Sequence, residues 1–274
     1  MGRLRSIYIC CFILIRAITV FAFSDTTLLL LPEKKIPGSY TNFYVDNLNN
    51  IFLINADNRI KKLNNKYDSV AVFNDTRRYG NIYLLDVNNP LKILVYYKDF
   101  STIVLLDRFL NIRNTIDLRR SGILQAKAVA QSYDNNYWVF DELENKLKKL
   151  DDNGNILLQT ADFRILFSDE FLPSRIIDYE GMLYLYDEKT GWMLFDYYGA
   201  FKQKIKAKNR KDVNVTANFL TGRDDNYIYF DNIKTFASGK FNLSINVANA
   251  LKAQRQNDKA FILQKDGLVI YKIQ

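Results

Sequence analysis

Arginine and lysine side chains are the residues of this sequence whose positions most directly predict chemistry. A planar guanidinium can donate two parallel hydrogen bonds to a carboxylate, phosphate or sulfate group. We therefore predict that a set of cations binds an anionic partner; the alternative is that these loops carry charge because water solvates them. The predicted set, in segments that join apolar runs, is Arg77, Arg78, Arg119, Arg120, Arg164, Arg175, Arg210 and Lys211.

Aromatic residues suggest a second kind of contact, because exposed rings stack on sugars or bases. The segments NNYWVFD and NYIYFD alternate in polarity, and alternate residues of a strand point to one face of a sheet. We therefore predict that most of these rings fill the core. Trp192 follows Gly191 near a loop, and we include it in the predicted partner-binding set.

The segment DDNGN at positions 151–155 has the oxygen donors of a cation loop. A helix–loop–helix calcium site also needs a distant bidentate glutamate, whereas Leu157, Leu158 and Gln159 follow here. Gly154 can adopt the positive φ of a tight turn, and aspartate and asparagine side chains bond nearby backbone amides. The segment therefore predicts a hairpin turn.

Histidine is absent from the sequence, which excludes the usual general base and the imidazole ligands of zinc, copper and haem. We predict no catalytic residue, no metal site and no cofactor. Oxygen-ligated calcium stays compatible with the composition. Candidate ligands, which we place beside first strands, are Asp46, Asp178 and Asp224 with Asn226.

The N-terminus predicts export. Arg3 and Arg5 precede an apolar run, and Ala22, Phe23 and Ser24 form a small-x-small site, so we expect a signal peptide over 1–24, with cleavage before Asp25. Arg16 interrupts the apolar run, which disfavours the alternative of a membrane-spanning anchor.

Cleavage would leave a mature chain without cysteine, because both cysteines, Cys10 and Cys11, precede the cleavage site. It would also remove three arginines and lower the formal charge from +8 to +5 (8 − 3). Such a mild excess does not indicate a nucleic-acid partner.

The sequence repeats with a period of about 44 residues. The apolar positions Leu63, Leu106, Leu150 and Phe195 each precede a polar turn and are separated by 43, 44 and 45 residues. A second element, two strands about a polar turn, recurs with turn centres near Asn50, Pro90, Asn136, Gly181 and Asn226. Four short strands per unit of this length are typical of a β-propeller blade.

Six copies can be counted, and the last one ends before its outermost strand. The segment DTTLLLLPEKKI, which follows the predicted cleavage site, has no partner of its own. We predict that it pairs with the last hairpin, placing Thr26 to Leu31 beside Leu268 to Ile273, which closes the ring. The fold prediction is an all-β, six-bladed β-propeller forming a single domain over 25–274.

The segment LKKLDDNGNILLQ resembles the middle of an NHL-type repeat, a strand, an Asp-x-x-Gly turn and another strand. Over roughly Asp25 to Gln274, the spacing is similar to secreted bacterial six-bladed propellers of the NHL and TolB-like superfamily. This resemblance implies an exported, periplasmic or cell-surface protein of bacterial origin. It also implies that a calcium-dependent lactonase or lyase is the main enzymatic alternative.

The longest connection, from Thr160 to Pro173, is apolar at Phe163, Ile165 and Leu166. We predict a short helix there that docks a protein if it is exposed. Together the features favour a non-enzymatic protein-binding or scaffold module, a monomer or a subunit of a hetero-complex. The partner would be a protein or an envelope complex bound by a basic mouth, or an anionic glycan, and the mature chain would have no transmembrane span.

Overall fold

The computed structural model describes residues 27–168, 170–216, 218–244, 247 and 249–273. The predicted signal peptide and its cleavage site lie outside these residues. In the part of the chain that is described, no helix has the length and apolar character needed to cross a membrane.

Six β-sheets account for most of the described chain, and each is one blade of a propeller. The strands before and in the first blade are β1 (Thr27–Leu28), β2 (Leu30–Pro37), β3 (Tyr40–Val45), β4 (Ile51–Asn55), β5 (Ile60–Leu63) and β6 (Ser69–Phe73). After the short helix α1 (Thr76–Tyr79), the second blade has β7 (Leu84–Asp86), β8 (Lys92–Tyr97), β9 (Thr102–Asp107) and β10 (Ile112–Asp117). The third has β11 (Ala126–Gln131), β12 (Tyr137–Asp141), β13 (Lys146–Leu150) and β14 (Ile156–Gln159).

The helix α2 (Phe163–Leu166) connects the third blade to the fourth. The fourth blade has β15 (Arg175–Tyr179), β16 (Met182–Asp187), β17 (Gly191–Asp196) and β18 (Phe201–Ile205). The fifth has β19 (Lys211–Thr216), β20 (Phe219–Arg223), β21 (Tyr227–Asn232) and β22 (Ser238–Leu243). The sixth has β23 (Lys252–Gln256), β24 (Lys259–Gln264) and β25 (Gly267–Ile273).

Each blade is an antiparallel meander whose first strand is innermost. Neighbouring first strands contact one another around the centre, for example β11 with β15 and β19 with β23. The four apolar positions that defined the repeat all lie on third strands and are buried. The period therefore correctly identified both the blades and their third strands.

The turn interpretation of DDNGN is confirmed. Asp151 Oδ1 accepts hydrogen bonds from the backbone N–H groups of Asn153 and Asn155, at 2.9 and 2.8 Å. Gly154 has a φ of +84°, which favours glycine. The turn joins β13 to β14 and uses its oxygen atoms locally.

The hydrophobic core lies between neighbouring blades, as the alternation of apolar and polar residues predicts. Trp138 packs with Phe163 and Phe195 between the third and fourth blades, and Trp192 packs between the fourth and fifth. Both indole rings are fully buried. The cluster between the fifth and sixth blades is smaller and contains Leu30 of β2.

The ring is closed by β2, which pairs antiparallel with β25 from Leu30 beside Ile273 to Pro37 beside Gly267. Closure by an N-terminal strand is thus confirmed, with a correction to its extent. Thr27 and Leu28 pair instead with β22 of the fifth blade, and Thr26 lies outside the described residues. Pro32 and Pro37 are tolerated because β2 is the outermost strand of its sheet.

The fifth blade differs from the prediction by one strand. The turn at Asn226 was expected to follow a first strand, but it joins the second strand, β20, to the third, β21. The innermost strand is β19, whose Lys211 pairs with Arg223 and whose Thr216 pairs with Phe219. The prediction was wrong here because β19 carries few apolar residues.

Candidate functional site

The connections between blades and the turns between second and third strands lie on one side of the propeller, which we call the loop face. Backbone hydrogen bonds join two such turns to the connections between blades that lie next to them. Glu142 donates to Gln125 O, Phe163 to Asn145 O and Asn209 to Glu188 O, each at 2.8 Å. The opposite side, formed by the other turns, is the turn face.

A central cavity of about 1440 Å³ is lined by residues from the inner strands of five blades and by residues 87–89, which follow the inner strand of the second blade. Arg175, Arg210 and Lys211 of the predicted partner-binding set line it. Arg77, Arg78, Arg119, Arg120 and Arg164 are not among its lining residues and lie on the connections of the loop face. The predicted cations therefore divide into a central group and a peripheral group.

Inner strands of the last three blades each begin with a cation, namely Arg175 in β15, Lys211 in β19 and Lys252 in β23. All inner strands start at the loop face, so these residues lie at a similar depth in the cavity, and all three line it. Sequence reasoning missed Lys252. Its position becomes evident only when the first strand of the sixth blade is located.

Lys252 reaches from the sixth blade to the first. Its Nζ donates to Asn42 Oδ1 at 2.9 Å and to Phe43 O at 2.7 Å, and lies 3.6 Å from the centroid of the Tyr44 ring. Burial, reinforced by the Arg175 guanidinium, lowers the pKa of Lys252 to about 7. Asp212 acts in the opposite direction but does not offset these effects.

The three predicted cations that line the cavity differ in whether they have an ion-pair partner. Arg210 forms a largely buried ion pair with Asp231, and its guanidinium lies over the Tyr229 ring at 4.4 Å. Lys211 pairs with exposed Asp225 at 2.9 Å. The side chain of Arg175 makes no hydrogen bond or ion pair with any described residue.

Asp212 attracts the Lys252 ammonium group, but other residues already use this carboxylate. Its Oδ2 accepts hydrogen bonds from Arg223 Nε at 2.5 Å and from the backbone N–H of Ala253 at 2.7 Å. The φ of Asp212 is +52°, at a bulge between β19 and β20. Asp212 therefore fastens the fifth blade to the sixth and does not neutralise Arg175.

Exposed apolar side chains form a band on the loop face between the first and fourth blades. We call this set the apolar band, and Ile165 (82% exposed) and Leu124 (59% exposed) are its most exposed members. Its members are Tyr83, Phe100, Leu124, Leu143, Ile165 and Leu166. The predicted short helix in the 160–173 connection is confirmed as α2, with Phe163 buried beneath it.

Hydrogen bonds join the segments of the band. Arg119 Nη2 donates to Asp99 O at 3.1 Å, beside Phe100, and Ser101 Oγ donates to Leu124 O at 3.3 Å. The Glu142 bond to Gln125 and the Phe163 bond to Asn145 continue the connection to α2. The band is therefore one structured surface.

Five of the predicted arginines flank the band. Arg77 and Arg78 form no ion pair with a described residue, and Arg78 lies 5.0 Å from the Tyr79 ring. Arg120 is 3.6 Å from Asp117 with 89% of its side chain exposed, and Arg164 pairs with Asp162 at 2.5 Å. The Arg120 pair is exposed and therefore weak, so Arg77, Arg78 and Arg120 stay accessible to a partner, whereas Arg164 is held by a two-point contact with the Asp162 carboxylate.

The turn face also has exposed apolar residues, but they occupy separate turns. Leu48, Leu91 and Phe109 each lie at the tip of a different turn. Tyr133 is partly covered by Tyr197, whose ring is tilted against it with 4.2 Å between ring centroids. Leu48, Leu91 and Phe109 can therefore serve as control positions when residues of the apolar band are substituted.

Trp192 does not lie on the described surface. Its ring is fully buried against Tyr184 and Tyr186, with centroid distances of 6.5 and 4.9 Å. Gly191 precedes it in β17 and packs against the backbone of Ile205, so the neighbouring loop does not expose the indole. The structure therefore places Trp192 in the core, and we do not include it in either surface.

The candidate calcium ligands are not gathered into one site. Asp46 accepts hydrogen bonds from Leu48 and Asn50 in a turn of the turn face. Asp224 accepts from Asn226 and Tyr227 on the loop face, because it follows the second strand of its blade. Among the described residues, no three acidic, histidine or cysteine side chains are grouped in a way that could hold a metal ion.

Asp178, the third candidate, is a half-buried carboxylate with four donors. It accepts from Ser132 Oγ at 2.9 Å, Tyr197 Oη at 3.0 Å, and both Tyr133 N and Trp138 Nε1 at 3.3 Å. Burial raises the pKa of Asp178, although these donors act against the shift. Its contacts fasten the third blade to the fourth.

Comparison with models of protein families finds no match, and comparison with curated proteins finds none. Among solved structures, a streptogramin B lyase is 14% identical with a TM-score of 0.59, over 85% of this chain and 78% of that one. A catalytically inactive His-to-Ala variant of virginiamycin B lyase from Staphylococcus aureus with quinupristin is 11% identical, with a TM-score of 0.59, over 90% and 99%. The Pan2 WD40 domain of Neurospora crassa is 10% identical, with a TM-score of 0.61, over 90% and 82%.

These identities are low, so the similarity extends to the β-propeller fold alone. The same architecture occurs in lyases and in WD40 domains, and a shared propeller does not determine activity. Function must therefore be argued from the surfaces of this chain.

Proposed function

We propose that this protein is a non-enzymatic β-propeller module that binds a partner protein through the apolar band of its loop face. The observation that carries the proposal is the exposure of six large apolar side chains on segments joined by hydrogen bonds. Soluble proteins seldom leave such contiguous apolar surface in water without a partner.

The partner we propose is an acidic protein segment with an apolar face. Arg77, Arg78 and Arg120 lie beside the band with their guanidinium groups exposed, and they favour carboxylates at the rim of an interface. Apolar contacts would supply the centre of that interface. An anionic glycan would use the arginines without using the apolar side chains, so the band favours a protein.

The enzymatic alternatives are less well supported. The similar virginiamycin B lyase variant is inactive after one histidine is replaced, and this chain contains no histidine. A calcium-dependent lactonase would need converging oxygen ligands, whereas the candidate aspartates are separated and engaged in local hydrogen bonds. We therefore propose no catalytic residue and no cofactor.

Export remains part of the proposal on sequence grounds. The basic and apolar N-terminal segment supports a secreted, periplasmic or cell-surface location, and the superfamily resemblance supports a bacterial source. Intact-mass measurement of the protein purified from its source should give an N-terminus at Asp25. A mass that retains residues 1–24 would contradict export with cleavage.

The docking proposal can be tested by affinity capture from an extract of the source cells, followed by mass spectrometry. The double variant Leu124→Glu with Ile165→Glu places two charges in the apolar band, and we expect it to lose the partner that the wild-type protein captures. Both side chains are exposed, so unfolding free energy should change by less than about 0.5 kcal/mol.

The matched control is Leu91→Glu with Phe109→Glu, which makes the same changes on the turn face. This variant should retain the partner. Equal retention by both double variants, or equal loss, would contradict docking through the band.

A further inference from the structure

One side of the central cavity carries a group of cations that protein docking at the band does not explain. Arg175, Lys211 and Lys252 begin the inner strands of three successive blades and line one half of the cavity. The other three inner strands begin with the uncharged residues Tyr40, Leu84 and Ala126. The positive charge is thus confined to one side.

Among the described residues, the acidic side chains that line the cavity form no ion pair with Arg175 or Lys252, and one of them, Asp178, accepts hydrogen bonds from four other groups. Asp212 is engaged by Arg223 and Ala253, and the Asp225 partner of Lys211 is exposed to solvent. Glu180 and Glu188 also line the cavity, but no described ion pair joins either one to the three cations. Two cations, Arg175 and Lys252, therefore have no carboxylate of their own.

The groups that act on Lys252 come from three neighbouring inner strands. Tyr44 of β3 supplies an uncharged ring, Arg175 of β15 repels the ammonium group, and Asp212 of β19 attracts it. An anion placed between Arg175 and Lys252 would remove the repulsion between them. Arg175 and Lys252 place two positive charges at one water-accessible cavity, and such an arrangement is expected of a site that binds an anion.

We propose that Arg175, Lys211 and Lys252 bind a small organic dicarboxylate in the central cavity. The planar guanidinium of Arg175 can hold one carboxylate through two parallel hydrogen bonds, and the lysines act as point charges for the second. A second carboxylate is expected because the three cations are distributed over neighbouring strands. This site goes beyond protein docking at the band and does not depend on it.

Titration calorimetry with succinate tests the proposal, with acetate as the matched monocarboxylate. We expect succinate to bind at least about ten-fold more tightly than acetate, since it can engage cations on more than one strand. Arg175→Ala should weaken succinate binding by at least about ten-fold. Because the Arg175 side chain makes no hydrogen bond or ion pair with a described residue, the variant should fold normally.

Arg113→Ala is the control, since Arg113 is exposed on β10, an outermost strand, and does not line the cavity. It should bind succinate like the wild-type protein. No preference for succinate over acetate, or equal binding by the Arg175 and Arg113 variants, would overturn the proposal. If succinate does not bind as expected, the proposal that a protein docks at the apolar band still stands, because the Leu124 and Ile165 double variant tests docking separately.

The pH dependence provides a readout specific to Lys252. The pKa of Lys252 is lowered to about 7, so its ammonium form, which attracts the dicarboxylate, is populated below that pH and lost above it. Succinate stays ionised from about pH 6.5 to about pH 8.5 because carboxyl pKa values lie near 4. The affinity for succinate should therefore fall several-fold between about pH 6.5 and about pH 8.5. The variant Lys252→Met should lose most of this pH dependence. If the variant keeps the pH profile of the wild-type protein, Lys252 is excluded from the site.

Discussion

Buried charges form ion pairs within the blades of this protein, and Lys148 of the third blade is the clearest example. Its Nζ lies 2.7 Å from Asp141 Oδ2, and the side chains are only 2% and 1% exposed. Removing one member of a buried ion pair leaves the other charge without compensation, at a cost of about 3 to 5 kcal/mol. We expect Lys148→Ala to lower the free energy of unfolding by this amount, measured by urea denaturation.

Lys146→Ala is the control for that measurement. Lys146 lies two residues earlier on the same strand and pairs with Glu144 at 3.1 Å in a more exposed setting. Exposed pairs contribute about 1 kcal/mol or less. Similar losses for the two variants would show that the buried pair does not have the stabilising role given to it here.

Residue types alone could not predict which charged side chains lack an ion-pair partner. Arg175 and Arg210 looked equivalent in the sequence, yet Arg210 lies over Tyr229 and pairs with buried Asp231, whereas Arg175 faces the cavity. Trp192 illustrates the same limit, because a position beside a loop glycine gave no sign of burial against Tyr186. Trp192 and Tyr186 are paired on adjacent strands of the fourth blade, and Arg210 directly precedes the fifth blade that contains its partners. Such contacts depend on how side chains pack in the folded sheets, which residue types alone do not determine.

At the scale of elements, the repeat was predictable because each blade has alternating apolar strands around turns rich in aspartate and asparagine. The third strands were identified correctly by Leu63, Leu106, Leu150 and Phe195. The fifth blade was misassigned because LTGRDDNYIYFDN has the appearance of a first and second strand, while the true first strand, KDVNVT, has only two apolar residues. The position of β19 as an inner strand is set by the neighbouring strands, and its sequence does not show the strict alternation of apolar and polar residues that would predict it.

The closing strand supports a second stability prediction. Without β2, the edge of β25 would be unpaired and the Leu30 side chain would be lost from the core between the last two blades. A chain that begins at Gly38 should therefore melt at least about 5 °C lower than one that begins at Thr27, by differential scanning calorimetry. Equal melting temperatures would contradict ring closure by β2.

At the scale of the whole molecule, the loop face has two distinct surfaces. The apolar band covers connections and turns between the first and fourth blades, whereas Arg175 and Lys252 line the cavity on the side of the fourth to sixth blades. The sequence predicted that cationic loops share one face. It could not predict that the apolar band and the cationic side of the cavity would be separate surfaces, because their separation depends on how the blades are arranged around the ring.

Hydrogen–deuterium exchange of the protein with its captured partner tests docking at the loop face most directly. The account predicts slower exchange in the segments that bear the apolar band and its arginines, and unchanged exchange at the turn-face tips. The segments expected to be protected are 76–83, 98–101, 118–125, 142–145 and 163–167. Protection confined to the turn face, around Leu48, Leu91 and Phe109, would contradict the account.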